Sequence, residues 1–425
     1  MINLDFTKNK TYYVVGLGKS NRAAVKALTK SGADVRVWDD KSENLLGMDD
    51  KLVCHPDKAP WSKIKAVIMA PGIEPSHPIV MTAADKNIPV LCDIDLYMQS
   101  NPTCKIIAIT GTNGKSTTTA LIHHILNHNG KSQMGGNIGV PALAMKNRVD
   151  YTVLELSSYQ LERTPNLKTD VSIILNITPD HLAWHGDMDH YIAAKSKILD
   201  GTSHGIISID DEISKNIANA HHDATRLSVY DELPFNQSHF PRMKGAHNLQ
   251  NLLAAYHACI ALGIDRDIII ERMKSFDGLP HRQYLVRVIN GVPYVNDSKA
   301  TNAEALKQAL RAYRNIILIA GGVPKDGCLD GIDNDLGEVK KAYLFGAARN
   351  NFAEFLTTRG IDVEMGEALD DVLPNAHEYA QELRGEPSGA PTVLFSPACA
   401  SFDQYDNFEQ RGEHFCDLVN GLDDA

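Results

Sequence analysis

Short apolar runs recur along the chain, each closed by glycine, asparagine or aspartate, and between them apolar residues return at helical spacing. Residues 11–15, 34–38, 66–69 and 89–91 form a first group of runs, residues 106–109, 151–154 and 171–175 a second, and residues 293–296, 315–320, 341–345 and 391–395 a third. Their length and β-branched content predict buried strands. Helices are predicted after the first run, through Lys30 to a stop at Gly32, and over residues 116–128, where Ala120, Leu121, Ile122, Ile125 and Leu126 share a helical period. Another, carrying Leu252, Leu253, Tyr256 and Ile260, ends at Gly263. Alternation of strand and helix means parallel sheets. Asn101-Pro102 reads as a linker and residues 279–282 as a hinge, which predicts three α/β domains over residues 1–100, 101–280 and 281–425.

Composition narrows the class without changing that picture. A chain of 425 residues suits two or three domains. At 43% hydrophobic and 22% charged it is ordinary globular protein. A formal charge of −11 argues against nonspecific nucleic-acid binding. No apolar run approaches a membrane span, and the first residues lack a signal-peptide pattern. The seven cysteines are scattered with no Cys-x-x-Cys, so neither a disulfide framework nor a zinc ribbon is expected, and a reduced cytoplasm fits best.

The sharpest chemical signal is Thr110-Gly111-Thr112-Asn113-Gly114-Lys115-Ser116-Thr117, set between strand and helix. Backbone N–H groups and a helix N-terminus draw an anion there, Lys115 adds a full charge, and a hydroxyl of Ser116 or Thr117 can hold Mg²⁺. The Walker pattern asks for glycine where Ile109 stands, so this is a shortened relative, read as an ATP site. Strand ends then deliver Glu155, Asn176 and the pair Asp180-His181 toward the same side, as Mg²⁺ beside phosphate requires. His181, His185 and His190 lack the glutamate of a zinc-protease motif. A Mg²⁺-proximal His181, with the other two as packing or surface residues, is expected. Lys195 falls on a helix just beyond. Asn248 and Asn251, three apart, either read a purine or face water. In the first domain Gly16-Leu17-Gly18 resembles a dinucleotide fingerprint whose third glycine is Asn21, followed by Asp39 where it could meet a ribose. A doubly wound unit without ligand is an equal alternative on these residues alone.

In order along nearly the whole chain, the Lys115 loop, Glu155-Leu-Ser-Ser, Asn176-Ile-Thr-Pro-Asp180-His181, Ala-Ala-Lys195 and His247-Asn248-x-x-Asn251 resemble the Mur ligases, ATP-dependent amide-forming enzymes of peptidoglycan precursor synthesis. Asn296-Asp-Ser-Lys-Ala-Thr-Asn302, residues 396–404 and residues 407–412 resemble the branch that adds D-glutamate to UDP-N-acetylmuramoyl-L-alanine. The resemblance implies a Rossmann-like first domain for the UDP-sugar, a P-loop-type ATPase centre and a Rossmann-like third domain for the amino acid. It implies transfer of phosphate from ATP to the alanine carboxylate, attack by the D-glutamate amine, and a tetrahedral intermediate that expels phosphate. Lys115, Glu155, His181 and Lys195 would be catalytic, and Lys195 carbamoylated. Ser116, Thr117, Glu155, His181 and Lys195 would surround two Mg²⁺ ions. Gly111 to Thr117, Asn248, Asn251, Arg282 and Asp297 would bind ATP. Lys299, Thr301, Lys325, Ser401, Phe402 and Phe408 would bind D-glutamate; two lysines and two hydroxyls suit two carboxylates.

Lys19, Ser20, Asp39, Asp40, Lys41, Gly72 and Asn137 align with the UDP-sugar site. Thr-Arg is expected where Asp40-Lys41 stand, and an aspartate beside a diphosphate is repulsive unless it faces the uracil or ribose. A monomer acting on small molecules, with no nucleic acid and no membrane span, is expected. Rival readings are a sister ligase or folylpolyglutamate-type enzyme, an NAD-dependent oxidoreductase built on Gly16-x-Gly18, and a noncatalytic nucleotide-binding regulator.

Overall fold

The computed structural model describes residues 2–128, 130–240, 242–324, 327–385 and 389–423, arranged around three sheets. The first holds β1 (Thr11–Val15), β2 (Asp34–Trp38), β3 (Ile64–Met69) and β4 (Val90–Leu91) in the order β2-β1-β3-β4, all parallel. The second holds β5 (Lys105–Thr110), β6 (Ser132–Gly136), β7 (Tyr151–Glu155), β8 (Thr169–Ile174), β9 (Thr202–Ser208) and β10 (Thr225–Leu227). Its order is β10-β9-β8-β5-β7-β6, again all parallel. The chain leaves β5 toward one edge and later crosses to β8 on the other side, so the crevice beyond the end of β5 is where ligands settle in such sheets.

The third sheet comprises β11 (Tyr284–Ile289), β12 (Val292–Asn296), β13 (Ile316–Gly321), β14 (Val339–Phe345), β15 (Asp362–Met365) and β16 (Thr392–Phe395), ordered β11-β12-β16-β13-β14-β15. It is parallel except for the β11–β12 hairpin, whose two-residue turn places Asn290 and Gly291 at φ 51° and 86°. Both values lie in the left-handed region that a type I′ turn requires. Along β13, Ile317 and Ile319 face one apolar cluster and Leu318 and Ala320 the other, as a strand covered on both faces must.

The chain forms two compact units, Met1–Phe235 with Gln250–Ser275, and Asn236–Leu249 with Phe276–Ala425. The first unit contains the first two sheets, which share one apolar cluster running from Val14 and Leu28 through Ile94 and Tyr97 to Leu143, Leu156 and Ile174. Polar bonds reinforce that joint. Tyr97 Oη donates to Thr152 Oγ1 at 3.2 Å, and Asn166 N donates to Asp95 Oδ1 at 3.0 Å. Among the described residues no helix is long and apolar enough to cross a membrane, and all seven cysteines are free thiols.

Candidate active site

The loop after β5 turns because two glycines let it. Gly114, at φ 83°, caps the helix Lys115–Leu126, and a Cβ there would run into the Asn251 side chain and, at 3.1 Å, Leu175. The loop is tied to the end of β8: Thr112 N donates to Asn176 O at 2.8 Å and Asn113 N to Asn176 Oδ1 at 2.8 Å. Thr112 Oγ1 donates to Thr178 O at 3.1 Å and lies 3.1 Å from Tyr191 Oη. Lys115 folds back so that Nζ donates to Gly111 O at 2.9 Å and Thr112 O at 2.8 Å. Asn251 accepts a bond from Thr118 Oγ1 at 3.1 Å, so this amide braces the helix rather than facing water.

Lys195, on the helix Met188–Ser196, is only 2% exposed. Its Nζ donates to Gly111 O at 2.7 Å and lies 4.8 Å from the centre of the Tyr191 ring. Burial and then the neighbouring Lys115 charge hold its pKa well below the ordinary lysine value, while Asp180 and Glu155 pull the other way. Glu155, at the end of β7, is 2% exposed; its Oε1 accepts from Asn137 Nδ2 at 2.8 Å, whereas Oε2 is buried without a hydrogen-bond partner. A buried, unpartnered carboxylate oxygen is strongly unfavourable unless a cation meets it, so the donor set here fits a hard divalent ion. No ready-made cage exists: among the described residues no three His, Cys, Asp or Glu side chains converge.

His181 is exposed, at φ 55° ahead of the turn Leu182–His185, with Nε2 3.3 Å from Asp180 Oδ2 and its ring 5.0 Å from Tyr159. His185 stacks on Tyr159 and lies 2.9 Å from Ser158 Oγ; burial pushes its pKa down to about 4. It is a packing residue, and His190 is exposed beside Asp187.

At the ends of β1 and β2, Lys19 and Ser20 open the helix Lys19–Lys30. Asp39 is buried and organises the loop, its oxygens accepting from Leu17 N at 2.6 Å, Lys41 N at 2.9 Å and Asn44 Nδ2 at 3.1 Å. Asp40 is exposed and held by Trp38 Nε1 at 2.8 Å and His77 Nε2 at 2.9 Å; those two bonds, His77 first, keep its pKa below the usual carboxylate value. Lys41 and Gly72 are exposed. Asn137 is tied to Glu155, on the central sheet.

In the second unit, loops at the ends of β12, β13 and β16 meet around Arg411, which is fully buried. Its guanidinium donates to Ser298 Oγ at 3.0 Å, Ser298 O at 2.7 Å and Cys399 O at 3.0 Å. Asp297 accepts from Ser396 Oγ at 2.9 Å and Gln283 N at 3.1 Å, yet burial pushes its pKa up to about 7 against those bonds and the Arg282 charge. Lys299 Nζ sits 4.0 Å from the centre of the Phe408 ring. Thr301 is half-buried, Ser401 buried and Phe402 74% exposed. Asn248 Nδ2 donates to Lys244 O at 2.9 Å. Lys325 lies outside the described residues.

Residues 10–92 match the domain family described as Mur ligase MurD-like, N-terminal domain, and residues 109–239 match the Mur ligase middle domain. A UDP-N-acetylmuramoylalanine–D-glutamate ligase of Rhodospirillum rubrum is 40% identical over 470 aligned residues, covering 96% of this chain and 94% of its own. One from Rickettsia prowazekii is 36% identical, covering 97% and 98%. The chain belongs to the Mur ligase family. The fold agrees: the Thermotoga maritima MurC structure superposes with a TM-score of 0.59 at 18% identity, over 97% of this chain and 99% of that one. The Thermotoga maritima MurF structure, in complex with ADP, gives 0.58 at 15% identity, over 99% and 97%.

Within this Mur ligase several residues at the site carried little signal in the sequence. Tyr191, Arg163 and Trp184 are single residues in ordinary helical or turn contexts. Asn176, by contrast, was marked by its place at a strand end. Arg411 lay inside a motif without announcing that it would be the buried hub of three loops.

Proposed function

We propose that this chain joins D-glutamate to UDP-N-acetylmuramoyl-L-alanine at the expense of ATP, as a cytoplasmic monomer. A carboxylate is a poor acyl donor. Transfer of the γ-phosphoryl group to it forms an acyl phosphate and ADP; the D-glutamate amine adds to the carbonyl carbon, and the tetrahedral intermediate collapses by breaking the C–O bond to phosphate. The products are the amide, ADP and phosphate, with the ammonium proton released.

The observation that carries this reading is the meeting of Lys195 and Lys115 on the Gly111 carbonyl of the phosphate loop, in the sheet whose neighbouring strand ends in the half-satisfied carboxylate of Glu155. Phosphoryl transfer asks mainly for charge neutralisation and alignment. Lys115, turning from loop carbonyls to phosphate oxygens, supplies the first, and the loop amides from Gly111 to Thr117 supply the second. Magnesium, held by Glu155, His181 and a hydroxyl of Ser116 or Thr117, would neutralise phosphate charge. Burial beside Lys115 lowers the Lys195 pKa, which favours its neutral amine; that form would add to carbon dioxide and release a proton, leaving a −1 carbamate able to face a second cation.

Lys19, Ser20, Lys41 and Gly72 would take the UDP-sugar. Asp39 shapes that loop, and Asp40, already an acceptor for Trp38 and His77, suits the hydroxyl-bearing uridine half rather than the diphosphate. Asn137 steers Glu155. Asn248, Asn251, Arg282 and Asp297 serve ATP, and Lys299, Thr301, Lys325, Ser401, Phe402 and Phe408 serve D-glutamate. The deciding measurement is phosphate release. It is expected to require both the UDP-muramoyl substrate and D-glutamate and to vanish in Lys115→Ala; release without D-glutamate at the full rate, or coupling without ATP, defeats the reading.

A further inference from the structure

Arg163 follows the short helix Ser158–Glu162 and is 5% exposed. Its guanidinium reaches the loop after β3, donating from Nη1 to Ala70 O at 2.8 Å and Pro71 O at 3.2 Å, and from Nη2 to Ile73 O at 2.5 Å. Trp184 joins it: the indole Nε1 donates to the same Ile73 O at 3.1 Å, and the guanidinium carbon lies 5.4 Å from the centre of its ring. Burial pulls the Arg163 pKa down to about 10, so the group remains charged at neutral pH. A buried cation whose rigid fork is directed at three backbone carbonyls contributes geometry more than stability, because apolar packing would fill the same space at lower desolvation cost.

The clamped loop carries Gly72 and is pinned from its other side as well. Gly16, at φ 81°, has no Cβ, and one built there would stand 2.7 Å from Ala70 Cβ and 2.8 Å from Ile73 Cδ1. On the central sheet the clamp grows from the segments that bear the chemistry. Ser158 and Tyr159, just past Glu155, contact His185 and His181, and Trp184 sits on the turn that His181 opens. One end of the clamp thus touches the loop read as part of the UDP-sugar site, and the other belongs to the phosphoryl-transfer site.

We infer that Arg163 and Trp184 are positioning residues that set the distance from the UDP-sugar loop to the phosphate loop, and so bring the substrate carboxylate into line with the transferring phosphate. The inference rests on the ligase reading above. Misplacement by about 1 Å is enough to slow a positioned reaction about 100-fold. In the full-length protein, Arg163→Met is expected to lower kcat for D-glutamate addition about 100-fold at saturating substrates while the KM for ATP stays within about twofold. Arg163→Lys should recover part of the loss, and Trp184→Phe, which keeps the ring and removes one donor, should lower kcat several-fold with the same unchanged KM for ATP. A lowered Tm with wild-type kcat in the folded Arg163→Met protein would make the clamp purely structural and overturn the inference. Should Arg163→Met not fold, wild-type kcat in Trp184→Phe overturns it equally. Absence of dual-substrate phosphate release in the wild type is a different result, one that removes the ligase reading itself.

Discussion

Lys195 and Asp93 are both buried ionisable groups, and their burial has opposite uses. For Lys195, a depressed pKa is what carbamate formation needs, since only the free amine attacks carbon dioxide. Lys195→Ala is expected to lose at least about 100-fold in kcat, and a short-chain carboxylic acid such as acetate to restore part of it; an absence of rescue in steady-state assays would remove the carbamate. Asp93 is fully buried at the start of the helix Asp93–Gln99, and neither oxygen makes a hydrogen bond of good geometry. Burial raises its pKa from 3.8 to about 6, although the Ile94 amide and the Ser20 hydroxyl offset a little of that. An acid with a raised folded-state pKa leaves stability intact below its ordinary value and subtracts from it as pH climbs through the folded value. Asp93→Asn should therefore match wild type near pH 4 and exceed it by on the order of 2–3 kcal/mol at pH 8, read from denaturant unfolding at both.

At the scale of elements, Asn21 shows how a motif can be kept while its residue changes. The third glycine of a dinucleotide fingerprint lets a helix approach its strand. Here Asn21 is buried, and its Nδ2 donates to Val15 O at 2.9 Å and Ile68 O at 3.3 Å, stitching the helix Lys19–Lys30 to β1 and β3. Asn21→Ala strips both carbonyls of that donor and is expected to destabilise by about 1–3 kcal/mol in chemical denaturation.

The phosphate loop was legible in the sequence because a continuous apolar run gives way to helical period across two glycines. Strand β6 was not: Ser132-Gln133-Met134-Gly135-Gly136 is a half-buried edge strand with no apolar run to mark it. Asn290-Gly291 carried a hairpin signal that the emphasis on parallel strands passed over, so β11 went unpredicted. Side-chain partnerships reached by long crossings, such as Asn137 with Glu155 and Arg163 with residues 70–73, leave no spacing pattern to find. Glu155 stood out both at a strand end and in one of the family's ordered motifs, whereas Lys195, on a helix, stood out through the motif alone.

For the whole molecule, the three sheets expected from the pattern are present, but they are grouped as two compact units. Each unit has its own apolar interior, so calorimetry should resolve two transitions rather than three. Ligands of the first unit distinguish them: magnesium-ATP, if held chiefly by the Lys115 loop, should move the transition of the first unit more than the other. A single transition, or a third independent one, would contradict this division.

The apolar cluster common to the first two sheets has a practical corollary for protein engineering. A fragment ending near residue 100 would bare Ile94, Leu96 and Tyr97, all buried in the intact chain, and would aggregate rather than fold as a free-standing module. A chimaera that borrows this first sheet for another ligase must carry across the opposing surface around Leu143, Leu156 and Leu161 as well, because the apolar cluster runs across the graft boundary.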